Sequence, residues 1–120
     1  MANPPTHMKK LPAIIMSIWL GSLWPAAAAA SCGYPRSPSV PNGATVSADE
    51  LRDTQDKVRA FLAKAEAYLA CLEAMEKDAA EPPSARQAEI NVARYNAMVD
   101  EMHRVSDEYN VAVRIFKSRQ

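Results

Sequence analysis

The stretch SADELRDTQDKVRAFLAKAEAYLACLEAMEKDAAEPPSARQ, residues 47–87, decides the fold. Its apolar positions repeat in sevens. Leu51, Val58, Ala65, Leu72 and Ala79 form one row, Thr54, Phe61, Tyr68 and Met75 a second, and Leu62 and Leu69 widen the stripe. Such a pattern is an amphipathic helix with a coiled-coil-like seam. Three local signals place its start at Ser47. Ser47 with Glu50 forms a capping box, Val46 with Leu51 a hydrophobic staple, and Asp49, Glu50 and Asp53 suit the positive end of the helix dipole. The stop is Glu81-Pro82-Pro83, because proline cannot continue a helix and restricts the residue before it. The first helix is therefore expected over about 47–80.

Ser84 with Gln87 opens a second helix in the same way, expected over about 84–118. Its rows are Ala88, Tyr95, Met102, Tyr109, Phe116 and Asn91, Met98, Val105, Ala112, flanked by Val92, Val99 and Val113. Arg114, Lys117 and Arg119 suit the negative end of its dipole. A linker this short makes the two helices antiparallel neighbours. Turning about residue 81 sets Met75 against Ala88, Tyr68 against Tyr95, Ala65 against Met98, Phe61 against Met102, Val58 against Val105, Thr54 against Tyr109 and Leu51 against Ala112. A slip of one heptad also matches apolar with apolar, so the loop length sets the register. The fold class is all-α: an antiparallel two-helix hairpin over 47–120, preceded by a proline-rich extended arm over 31–46.

In that arm Pro35, Pro38 and Pro41 share one edge of a polyproline II strand, and Asn42-Gly43 marks a turn at its end. The arm is read as lying along its own domain; the other reading is a proline-rich ligand for a partner groove. Upstream, Lys9-Lys10, an apolar run from Leu11 to Trp24 and the small residues Ala26 to Ala30 describe a secretory signal over 1–30, with cleavage after Ala30. Met8 before the two lysines is a natural start for such a signal. The competing reading is an uncleaved membrane anchor over 11–30.

Removing the signal changes the charge. The whole chain has 14 Lys and Arg against 14 Asp and Glu; two lysines leave, so 12 face 14 and the exported part carries about −2. A slightly acidic domain without a basic surplus is not built for nucleic acid.

The exported part has two cysteines, Cys32 and Cys71, and an oxidising compartment favours one disulfide between them. Reach permits it. Cys71 lies about 36 Å along the helix from Ser47, and the 15 residue steps from Cys32 to Ser47 span roughly 46 Å when extended. Closing that loop contributes about 4 kcal/mol in the chain-entropy description. The rival reading is a lipoprotein acylated at Cys32, which would leave Cys71 as a lone thiol.

Residues for chemistry are sparse. His103 is the single histidine of the exported part, and Asp100-x-x-His103 has the spacing of a di-iron helix, but the first helix offers no seam carboxylates to complete such a site. One histidine and two distant cysteines make no zinc cluster. No serine or cysteine pairs with His103 as a nucleophile, and Gly33 and Gly43 belong to no phosphate-cradling loop. No catalytic, cofactor-binding or metal-ligating residue is assigned, and no cofactor is expected. The charged neighbours Asp53 with Lys57, Glu73 with Lys77 and Asp100 with Arg104 read as solvated i,i+4 pairs.

Cys32-Gly-Tyr-Pro35, Val40-Pro-Asn-Gly43-Ala-Thr, Tyr68-Leu-Ala-Cys71-Leu and the later Tyr95-Asn96 and Tyr109-Asn110 together resemble small uncharacterised exported proteins of Proteobacteria. The resemblance spans most of the exported part. It implies a two-cysteine periplasmic helical protein and carries no activity with it.

The expectation is a non-enzymatic periplasmic interaction or structural module that self-associates or docks on a protein partner. Membrane attachment is expected only if Cys32 is lipidated or the signal is uncleaved. The alternative is an envelope-stress holdase or hydrophobic-ligand binder using the groove beside Tyr68, Met98 and Met102. A thiol-redox sensor at Cys71 is a third reading and requires a reduced, accessible thiol.

Overall fold

The structure, a computed structural model, describes residues 31–120 together with Ala2 and Asn3. The rest of the expected export signal and its cleavage point after Ala30 lie outside the described residues. Two helices account for the regular structure of the described residues: α1, Ala48–Lys77, and α2, Ala85–Ser118. They pack on each other as an antiparallel, all-α hairpin.

Both helices start where their caps dictate. Ser47 Oγ accepts from Glu50 N–H and Ser84 Oγ from Gln87 N–H, each at 3.2 Å. Each hydroxyl thereby satisfies one of the amides that a helix leaves orphaned at its first turn. The first helix stops three residues earlier than its apolar row suggested, at Lys77, with Asp78 N–H bonding Ala74 C=O at 2.9 Å. Ala79 lies beyond that end, and every residue from Glu73 to Gln87 is exposed. Nothing packs across the tip to reward another turn before the two prolines, and there helix propensity alone is too weak.

Two clusters make the core. Val58, Phe61, Ala65, Tyr68 and Leu72 pack with Met98 and Val105; nearer the α1 start, Leu51 packs with Val46 and Ala112. With Leu51 beside Ala112, and Val105 in the other cluster, the register is the one set by the short loop, not its one-heptad slip. The buried hydroxyl of Thr54 donates to Glu50 C=O at 2.8 Å, so the one buried polar side chain among the described residues is satisfied.

The helices differ in how they use their rows. Both α1 rows are buried along most of their length, although Met75 at the tip is 45% exposed. On α2 only Met98, Val105 and Ala112 are buried. Tyr95, Met102, Tyr109 and Phe116 are half-buried, so that row faces the groove edge.

Residues 32–46 run beside the pair as an extended segment, antiparallel to α1. Cys32, Pro35, Pro38 and Pro41, three residues apart, are each half-buried, and Tyr34, Arg36 and Ser39 are exposed. That threefold period is the one a polyproline-like strand presents to a surface. The arm lies against its own domain.

Candidate interaction surface

Four fastenings hold the arm in one of the two grooves of the hairpin. The first is covalent: Cys32 and Cys71 are joined in a disulfide, with Cα atoms 5.7 Å apart. Beside it Met75 Sδ lies 3.1 Å from Cys32 Sγ, and the Tyr34 ring meets Tyr68 edge to face, centroids 5.3 Å apart. Cys71 is half-buried, and no cysteine is free among the described residues. A sulfur in that bond is neither a nucleophile nor a site for acylation.

The second fastening is a charged cluster. Arg104 donates to both Glu101 carboxylate oxygens, Nε at 2.7 Å and Nη2 at 2.5 Å, and to Glu108 Oε1 at 2.7 Å. Its Nη2 also reaches Ser37 Oγ of the arm at 3.5 Å. The hydrogen bonds from Arg104, with a further one involving Ser37, hold the Glu101 carboxyl down from its ordinary 4.5 to about 2. Glu101 and Glu108 in turn push the Arg104 guanidinium up. The expected partner of Arg104 was Asp100. Glu101 takes that place because it stands on the arm side of α2 and its longer side chain meets the guanidinium fork with two oxygens. The expected pairs Asp53 with Lys57 and Glu73 with Lys77 are not among the ion pairs of the described residues; on α1 the pair formed is Arg52 with Asp49 at 3.4 Å.

The third fastening is a backbone contact. Asn42 folds the chain over: its C=O accepts from Thr45 and Val46 N–H, and its Oδ1 from Ala44 N–H. This turn presses Gly43 onto α2. A Cβ there would stand 2.2 Å from the Ala112 carbonyl oxygen, well inside the van der Waals contact distance of carbon and oxygen, so only glycine fits.

The fourth is Arg119, which does more than complement the dipole at the end of α2. Its Nε donates to Gly43 C=O at 3.0 Å and its Nη2 to Val46 C=O, with the guanidinium 4.8 Å above the Phe116 ring. It ties the last turn of the chain to the residues before α1. Residue type alone could not reveal this, because the two ends meet only once the hairpin closes.

Beyond the disulfide the same groove continues as an open cleft of about 640 Å³, lined by Tyr68, Leu72, Met75, Ile90 and Arg94 among others. The opposite groove has no arm. Along it α2 presents Val92, Tyr95, Val99, Met102, Ser106, Tyr109, Val113 and Phe116, at alternating steps of three and four. Val92 is 60% exposed and the other seven are half-buried. The edge of α1 adds Leu62 and Leu69, which also lie half-buried against the core. No charged residue stands among those eight α2 positions, whereas the arm side of α2 carries Glu101, Arg104 and Glu108. Charge depletion around aromatic, Met and Val side chains marks the centre of protein interfaces.

No family model, no curated protein and no solved structure matches this chain. Its surface has to speak for itself. Among the described residues no helix is long and apolar enough to cross a membrane, and no three His, Cys, Asp or Glu side chains gather as a metal site. His103 is exposed. Of the three side chains of the expected ligand groove, Tyr68 and Met98 are core residues, 7% and 0% exposed, with Tyr68 also edging the cleft beyond the disulfide, and Met102 lies on the unarmed side.

Proposed function

We propose that this chain is an exported, non-enzymatic helical module that acts in the periplasm by offering the unarmed groove of its hairpin to a protein. The observation that carries the proposal is the charge-free stripe from Val92 to Phe116 on α2, half-buried from Tyr95 onward. A helix row that is apolar at heptad spacing and only half covered is suited to another helix. The disulfide between Cys32 and Cys71 is compatible with an oxidising compartment, and the signal-like residues 1–30 supply the route to it. The small exported two-cysteine proteins of Proteobacteria, which the chain resembles in its Cys32-x-x-Pro35 and Tyr68-x-x-Cys71 motifs, give the same address.

Site-specific photocrosslinking in intact cells tests this reading. A photoreactive residue at Ser106, in the open groove, should yield a defined protein adduct in the periplasmic fraction, and one at Asp107, on the solvent side, should not. Absence of any adduct from Val99, Ser106 and Val113 alike would refute it.

A further inference from the structure

The open groove carries a charge pattern along its α1 edge that says what covers it. Arg52 lines the groove at the end near Tyr109, Val113 and Phe116, and Glu73 lines it at the other end near Val92 and Tyr95. Arg59 follows Arg52 by one heptad and Glu66 precedes Glu73 by one heptad, so the four stand in a single row along the helix. That row is basic in its first half and acidic in its second. Such an order is self-complementary when a helix meets a copy of itself running the other way, as in an isologous two-fold interface.

We propose that a second copy of this chain occupies the groove, packed face to face with α1 against α1 and α2 against α2, each pair antiparallel. The inference rests on the reading of this groove as a protein interface and names its occupant. The two-fold axis passes at Leu62, where Arg59 faces Glu66 of the second copy and Arg52 faces Glu73. The hairpin register, Ala65 beside Met98 and Val58 beside Val105, carries the same axis to α2 between Val99 and Met102. There the eight-residue stripe is also self-complementary. Val99 meets Met102 of the second copy, Tyr95 meets Ser106, and Val92 meets Tyr109, so each aromatic faces a smaller side chain. Two patterns on different helices, one of charge and one of size, share one axis. The pair of Arg52 with Asp49 within the chain does not compete, because both side chains are largely exposed, at 71% and 90%.

Sedimentation equilibrium of the exported, oxidised chain tests the proposal, and it should report twice the chain mass. Arg59→Glu sets like charges opposite each other twice across the axis and should weaken the dimer about tenfold or more, with the helical content of the monomer unchanged. Arg59→Glu combined with Glu66→Arg swaps the signs and should restore the dimer to within about threefold of the parent. A parent chain that sediments as a monomer overturns the proposal, as does a double variant no tighter than the single one. Mass analysis of the Ser106 crosslink separates the two readings. An adduct of twice the chain mass supports the second copy, an adduct with a different protein overturns it while sustaining the groove as an interface, and no adduct removes both.

Discussion

The two grooves of one helix pair have opposite treatments. On one side the chain fills the groove with its own residues 32–46, held by a disulfide, a charged cluster, a glycine pressed on Ala112 and the Arg119 clamp. On the other, the row of α2 residues from Val92 to Phe116, with no charged member, stays half open. A two-helix hairpin alone has little core, since each helix can bury only one stripe against the other. The arm acts as a third layer and closes one flank. The described arm lies on that flank alone, and Leu62 and Met102 on the other stay half-buried.

Four perturbations test that contrast. The largest effect is expected from Cys71→Ala, which releases the arm and removes the cross-link between residues 39 apart. Unfolding in urea should show a loss of about 4 kcal/mol, a large share of the roughly 5–15 kcal/mol available to a small domain. A loss below about 1 kcal/mol would mean that the arm hardly supports the hairpin.

Next is the pair Met98→Ala and Met102→Ala, the same change on the two rows of α2. Met98 is fully buried and should lose about 2–5 kcal/mol. Met102, half-buried at the open groove, should lose about half as much in the isolated chain. Equal losses would mean that the open row is core and the contrast is false.

Gly43→Ala should cost about 1–3 kcal/mol through forced separation of the turn from Ala112, read as a lowered melting temperature. Arg104 contacts to the arm should loosen with it, and an unchanged melting point would show that the turn can lift without consequence.

The smallest effect is electrostatic. The Glu101 carboxyl is held at about 2, below its ordinary 4.5, so its contribution is present above the ordinary value and is lost as the pH falls toward 2. Arg104 and Glu108 are both about half exposed, and solvent screening keeps the contribution small. Glu101→Gln should flatten the part of the stability profile between about pH 4.5 and 2 and lower stability at neutral pH by the same small amount, so that parent and variant converge only near pH 2. An unaltered acid limb would remove the cluster from the list of arm fastenings.

Much of this architecture was legible in the residues. Ser47 and Ser84 begin the helices, Pro82-Pro83 separates them, and the heptad rows name the buried side chains of α1 almost completely. The prolines of the arm announce their threefold period. Other features were not legible. Two apolar rows on α2 look alike in sequence, and nothing local says that Met98, Val105 and Ala112 face α1 while Tyr95, Met102 and Tyr109 stay at the edge. Arg104 had four acidic neighbours within a helical turn or so, Asp100, Glu101, Asp107 and Glu108, and only the position of the arm decides which side it turns to.

The sequence by itself determined where helices begin and end, which residues are apolar and at what period, and that two cysteines share one chain. Those are consequences of short-range backbone sterics, capping and side-chain periodicity, all local in the chain. Tertiary structure decided which groove the arm takes, which row of α2 is core and which is surface, and that Arg119 closes the ring onto Gly43 and Val46. Each of those choices depends on contacts between residues tens of positions apart. Such contacts acquire an energy only when the hairpin has closed and brought the partners within a few ångströms of each other.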